Sequence, residues 1–238
     1  MKKRNIQKYV YAVIVCIAVA SIIPAAVKAQ EVVEASVGGD IVSSYIWRGS
    51  ECAGASVQPA LSVGVGGFSL TAWGSIGFAG YEVGYPKEYD FTLGYGTGGF
   101  SVAITDYWFD QPETKYFNYK AETTAHMFEG TLGYDFGPLA VSWNTFFGGN
   151  DFNSEGDRAY STYVEVSAPF KLGGLDFKAE IAATPWDGLY SDDFNVVNIG
   201  LTGSKNIKIT DSFSIPAFTK IIFNPYTEKA FFVFGISL

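Results

Sequence analysis

One histidine and twenty-four carboxylates limit the chemistry open to this 238-residue chain. Hydrolytic and nucleophilic sites need a base beside a nucleophile or a water, most often histidine with serine, or paired aspartates. The carboxylates near His126 in the sequence, Glu122 and Glu129, make no catalytic pattern with it. His126 shares parity with Phe128 and Leu132, which predicts an outward or loop-rim position. There is no metal-ligating cluster, phosphate-binding glycine loop or nucleotide fingerprint; the glycines fall at turns and along alternating segments. No catalytic residue, metal or cofactor is expected.

A different chemistry lies in residues of one strand parity. Asp40, Glu88, Asp90, Glu129, Asp135, Glu165, Asp176 and Glu180 share it with only three bases, Arg48, Lys178 and Lys220. Trp73, Tyr107, Phe109, Phe146, Tyr163, Phe194, Phe218 and Phe231 are predicted to face the same way. A confined acidic passage concentrates cations and repels anions, and aromatic faces guide ring-bearing or sugar-like solutes. The residues expected to line such a passage are Arg48, Trp73, Asp90, Glu129, Tyr163, Glu165, Lys178, Glu180, Phe218 and Lys220. The same side chains also suit a filled interior, with the bases paired to carboxylates as a core network.

The elements that must position these residues are strands. Segments near 36–48, 57–66, 68–78, 87–97, 100–110, 125–136, 139–147, 159–171, 175–184, 194–204, 213–223 and 230–238 alternate with a period of two. Opposite parity carries Leu61, Val63, Phe68, Leu70, Phe91, Leu93, Val141, Trp143, Val166 and Ile181. A basic residue on a lipid-facing side would cost about 2–4 kcal/mol at mid-depth, and that side is almost free of charge. Asp106 breaks the rule, which predicts a bulge or a position near the loop rim.

Tight turns at Gly66-Gly67, Thr97-Gly98-Gly99, Gly137-Pro138 and Gly173-Gly174 alternate with long breaks at 49–56, 79–86, 111–124, 148–158, 185–193 and 224–229. Residues 206–212 form a longer connection where a tight turn is expected. Pairing the last strand with the first removes every sheet edge. The prediction is an all-β, twelve-stranded antiparallel transmembrane barrel with both ends on the short-turn side. Trp47, Tyr81, Trp108, Phe136, Phe147 and Tyr226 suit its aromatic girdles.

Lys2, Lys3, Arg4 and Lys8 precede an apolar run that ends in small residues around Val27-Lys28-Ala29, the layout of a cleaved export signal over residues 1–29, leaving a barrel domain over 30–238. A retained anchor is the rival reading. Cleavage removes five of sixteen bases and no acids, leaving a net charge of −13, which argues against nucleic acid as a partner. Cys52 is then the one remaining thiol, so no intramolecular disulfide is expected.

Ser43-Ser44-Tyr45-Ile46-Trp47-Arg48-Gly49 closing the first strand, Gln58-Pro59-Ala60, Trp73-Gly74-Ser75, and Glu88-Tyr89-Asp90 followed by Gly94-Tyr95 resemble the TorF-type porin family of Gram-negative bacteria. The likeness covers about the first third of the mature chain. Where that family commonly has Ser-Gln or Thr-Gln after Arg-Gly, this chain has Ser50-Glu51-Cys52. The resemblance implies an outer-membrane barrel that passes small solutes and supplies no catalytic set. The implied partners are outer-membrane lipid, the barrel-assembly machinery during insertion, and a small solute. A non-conducting structural or adhesive barrel and an outer-membrane hydrolase are the competing classes.

Overall fold

The computed structural model describes residues 32–78 and 87–238. The expected export signal, the break at 79–86 and Tyr81 lie outside the described residues. Among those described, the chain forms no helix and fourteen strands: β1 (Glu34–Val42), β2 (Tyr45–Trp47), β3 (Ser50–Ala53), β4 (Ser56–Val65), β5 (Phe68–Gly77), β6 (Lys87–Thr97), β7 (Phe100–Asp110), β8 (His126–Asp135), β9 (Ala140–Gly149), β10 (Thr162–Leu172), β11 (Leu175–Thr184), β12 (Asn195–Lys208), β13 (Ser214–Asn224) and β14 (Lys229–Ser237). β1 and β4 to β14 close into a twelve-stranded antiparallel barrel, and β2 and β3 form a separate hairpin.

Each of the twelve segments expected from alternation corresponds to a wall strand, with corrections at the first and at β12. The first wall strand stops at Val42 rather than 48, and the chain then leaves the wall for the hairpin. Closure joins β14 to β1 through Asp40↔Ser237, Ile41↔Ile236 and Val42↔Gly235. The other edge of β1 pairs with β4 from Glu34↔Gly64 to Val42↔Ser56.

The two rims differ for a backbone reason. Gly66-Gly67, Gly98-Gly99 and Gly173-Gly174 all have positive φ, the geometry that two-residue hairpin turns require at both central positions. The 206–212 connection is shorter than expected, because β12 continues to Lys208 and only residues 209–213 turn, closed by Ile209 N–H donating to the Phe213 carbonyl. Residues 136–139, with Gly137 at φ 90°, complete this short-turn rim, while the long connections 111–125, 150–161 and 185–194 crowd the opposite, loop rim together with the short turn 225–228.

Alternation sorts the wall into two faces. Leu61, Val63, Phe68, Leu70, Phe91 and Leu93 point outward, between 43% and 55% exposed. Tyr107, Phe146, Tyr163 and Val233 point inward and are buried. Phe194 was expected inside but precedes β12 and is 65% exposed. Trp47 was expected on a girdle but lies inside with the hairpin; Phe136, Phe147 and Tyr226 are exposed at the rims or outer face, and Trp108 is buried under a loop.

Two bulges interrupt the ladders, one beside Glu129 and Phe147 between β8 and β9, the other beside Ala182 and Val197 between β11 and β12. Asp106 needs none. It sits outward in regular register between Phe91 and Phe128, so its charge is handled by a partner rather than by a bent strand.

Candidate functional site

The chain quits the wall at Ser43, whose N–H donates to the Phe234 carbonyl at 2.8 Å while its Oγ accepts from the Phe234 N–H at 2.9 Å. These bonds end the β1 to β14 pairing and send residues 45–53 into the barrel. β2 and β3 join through Arg48 (φ 49°) and Gly49 (φ 78°). Positive φ is routine for glycine but costs a branched or long side chain something of order 1–2 kcal/mol, so Arg48 holds that shape because its side chain is pinned.

The pins are several. Nη1 and Nη2 of Arg48 donate to Oε2 and Oε1 of Glu129 at 2.5 and 2.8 Å, and Nη1 also reaches the Tyr190 hydroxyl at 2.5 Å. The Tyr107 hydroxyl donates to Glu129 Oε1 at 3.0 Å. The guanidinium carbon lies 4.5 Å from the Trp47 ring centre and 4.8 Å from that of Tyr163, close enough for cation–π attraction. Burial pushes the Tyr190 hydroxyl well above the usual tyrosine range, so it stays protonated beside Arg48.

Both bulges serve this arrangement. The first lies at Glu129, whose carboxylate grips Arg48, and the second lets the consecutive residues Val197 and Asn198 both be buried. Gly49 rests on that second bulge: a Cβ there would run into the Val197 carbonyl, and Asn224 Nδ2 donates to the Gly49 carbonyl at 3.0 Å. Bulges commonly re-aim side chains beside functional sites.

Trp47 packs against Tyr107, Tyr190 and Phe146 with ring centres 5.6, 6.0 and 6.5 Å apart. At the base of the hairpin, Tyr45 meets Trp73 at 5.6 Å. The hairpin thus bridges from the β4 to β6 wall to β8, β10, β12 and β13, filling the loop-rim half of the interior. Glu88 is fully buried near this base, and Gln58 donates to Ser75 at 3.4 Å. Of the residues on which the family resemblance rests, Tyr45, Trp47, Arg48, Gly49, Gln58, Trp73, Ser75, Glu88 and Asp90 form the hairpin and the wall beneath it, while Gly94 and Tyr95 lie toward the turn rim beside Ser69 and Phe68.

Toward the turn rim the interior opens. A cavity of about 260 Å³ is lined by Trp47, Arg48, Asn144, Tyr163, Glu165, Glu180, Asn198 and Lys220, among others. A second, of about 200 Å³, shares Ser142 and Glu165 with it and reaches Gly99 and Asp135 at the turn rim. Lys178 Nζ bridges Glu165 at 3.2 Å and Glu180 at 3.1 Å. The Tyr163 hydroxyl donates to Glu165, and Asn198 Nδ2 to Glu180, both at 3.1 Å.

The ten residues expected to face the interior divide into two groups. Arg48, Trp73, Asp90, Glu129 and Tyr163 belong to the packed hairpin region, and Glu165, Lys178, Glu180, Phe218 and Lys220 to the half toward the turn rim. Arg48 does not end a wall strand, as expected, but caps the hairpin. Asp135 and Asp176 sit exposed near the turn rim, Asp176 paired to Lys171. Tyr190 and the hairpin itself were not anticipated. Their signals were short: Arg48-Gly49 between two alternating triplets, and a lone tyrosine in a polar loop.

His126 lies on the outer face and is fully buried. Its Nδ1 meets Asp106 Oδ1 at 2.7 Å and its Nε2 the Tyr116 carbonyl at 2.6 Å. The 111–125 loop covers it, with the Tyr119 ring stacked 4.5 Å away. Both ring nitrogens are engaged in holding the loop to the wall. The carboxylate that answers this histidine, Asp106, lies twenty residues away in sequence and one strand over.

No family model matches the chain, and no curated protein matches it. Among solved structures it is similar to a chain described as "Salmonella typhi OmpF complex with Daunomycin", at 9% identity over 87% of this chain and 99% of that one, with a TM-score of 0.36. A likeness at that score adds nothing to the barrel topology itself.

Proposed function

We propose that this protein is a porin-like barrel of the Gram-negative outer membrane, exported with a cleaved signal, that lets small cationic or neutral solutes cross through an interior narrowed by its own hairpin. The observation that carries the reading is the pairing of an apolar outer wall with a charged, cavity-bearing interior inside a sheet that has closed on itself. Strands of nine to fourteen residues suffice to cross a hydrocarbon layer at a tilt, and closed sheets are one of the two backbone solutions to that environment. The TorF-type resemblance supports the same reading, since Tyr45, Trp47, Arg48 and Gly49, which carry part of it, form the hairpin that narrows the interior. Lipid and the assembly machinery are then the partners, and Arg48, Trp73, Asp90, Glu129, Tyr163, Glu165, Lys178, Glu180, Phe218 and Lys220 line the route or its obstruction.

Planar bilayer recording of the refolded protein tests this. Discrete conductance steps are expected, larger or more frequent in Arg48→Ala, which unlatches the hairpin. The dense packing of Trp47 and Arg48 favours a second reading, a non-conducting structural barrel. Silence of both proteins at every salt concentration would establish that second reading and end the first.

A further inference from the structure

We propose that the cavity beneath the hairpin binds a small zwitterion of amino-acid size, one ammonium and one carboxylate on a short frame. As the solute site of the lumen, it rests on the transport reading above.

Local charge carries the argument. Glu165 and Glu180 share a single cation, Lys178, so that wall holds one negative charge in excess. Arg48 and Glu129 cancel each other. Lys220 also lines the cavity, yet among the described residues no carboxylate pairs with it; its Nζ stands 5.3 Å from the Phe218 ring centre instead. On one stretch of wall, β10 to β13, the cavity therefore presents a carboxylate in excess and, two strands from Lys178, an ammonium without a carboxylate partner.

The strand register sets these charges at matching heights. Lys178 on β11 and Lys220 on β13 both pair with Thr202 on β12, and with strands about 4.8 Å apart their backbones lie roughly 10 Å from each other. Glu180 pairs with Gly200 and leans across it toward β13: a Cβ on Gly200 would come within 2.7 Å of the Glu180 carboxylate. Only a residue without a side chain lets Glu180 occupy that space. Its carboxylate thus lies over β12, the strand between its own and that of Lys220, where Asn198 also donates to it.

A solute with one charge would satisfy the excess carboxylate or Lys220 and leave the other as it was, whereas a zwitterion satisfies both, its ammonium on Glu165 and Glu180, its carboxylate on Lys220. Ile46, Trp47 and Ile222 also line the cavity and offer an apolar end for a side chain. The cavity, about 260 Å³, is roomy enough for a molecule of the size of leucine or glutamine.

Isothermal titration of the folded protein in detergent decides the matter, with L-leucine, L-glutamine, acetate and ethylammonium as probes. At least one amino acid should bind at a single site, at least tenfold more tightly than acetate or ethylammonium, and Lys220→Met should weaken it at least tenfold. Should Lys220→Met lose its β-sheet circular dichroism, Glu180→Gln takes its place with the same expectation. Absence of binding by both amino acids, equal binding of the half-probes, or unchanged affinity in a folded variant overturns the site. Binding without bilayer conductance would overturn the transport reading and leave the site standing; conductance without binding would do the reverse.

Discussion

Arg48 and Glu129 meet in the middle of the barrel through two hydrogen bonds, 2.5 and 2.8 Å long, across 81 residues of sequence. Their side chains are 11% and 1% exposed. Removing one partner of such a buried pair leaves an uncompensated charge, at a cost of about 3–5 kcal/mol, while replacing both by apolar groups is often neutral. Glu129→Ala should therefore destabilise the protein by that amount and Arg48→Met with Glu129→Met by much less. Urea unfolding followed by tryptophan fluorescence compares the three.

The pairing also changes what Glu129 contributes to selectivity. Its charge is cancelled by Arg48, whereas Glu165 and Glu180 share one lysine. In reversal potentials under a salt gradient, Glu165→Gln should lower cation preference more than Glu129→Gln does, and Arg48→Ala should raise it by freeing the Glu129 charge. Equal ratios in all three would place these residues off the current path.

Gly49 and Gly156 separate two kinds of backbone cost. Both have positive φ, 78° and 87°, but a Cβ at Gly49 meets the Val197 carbonyl while nothing lies within 4 Å of one at Gly156. Alanine at Gly156 should cost only the conformational part, about 1–2 kcal/mol. Alanine at Gly49 should cost clearly more and loosen the hairpin, read as higher conductance alongside a lower urea midpoint.

His126→Ala tests the outer clamp. It leaves Asp106 unpaired on the outside of the wall and frees the 111–125 loop, whose Lys115 and Lys120 are exposed. Losing the partner of a buried polar group costs about 1–3 kcal/mol, enough to raise trypsin cleavage at these lysines about tenfold if the loop opens locally. Conductance should not change, since the clamp lies outside the barrel.

The wall was legible because a period of two reports a face directly: Leu61, Val63 and Val65 against Ser62 and Gly64 needs no knowledge of neighbours. Its glycine pairs marked the turns for the same local reason. The hairpin was not legible, since Tyr45-Ile46-Trp47 alternates just as a wall strand does, and only the Ser43 bonds to Phe234 reveal that the chain has left the sheet. Neither was the link between Arg48 and Glu129, nor that between Asp106 and His126, because alternation gives a side chain's direction but not its height on the barrel. The bulges at Phe147 and Val197 escaped notice as well; adjacent residues such as Phe146 and Phe147 are both apolar, so a slipped register leaves the pattern looking intact.

The seam between β1 and β14 has three register pairs, against nine on the other edge of β1. The free ends of these two strands, Glu34 and Ser237, lie toward the same rim, so a tensile load applied between them does not shear the sheet. It peels the seam one rung at a time, and each rung carries the whole force alone. Under load this barrel should part first as a zipper along that one line, through the Gly39–Leu238 bonds and the three register pairs to Ser43 and Phe234, while the other eleven junctions stay fastened.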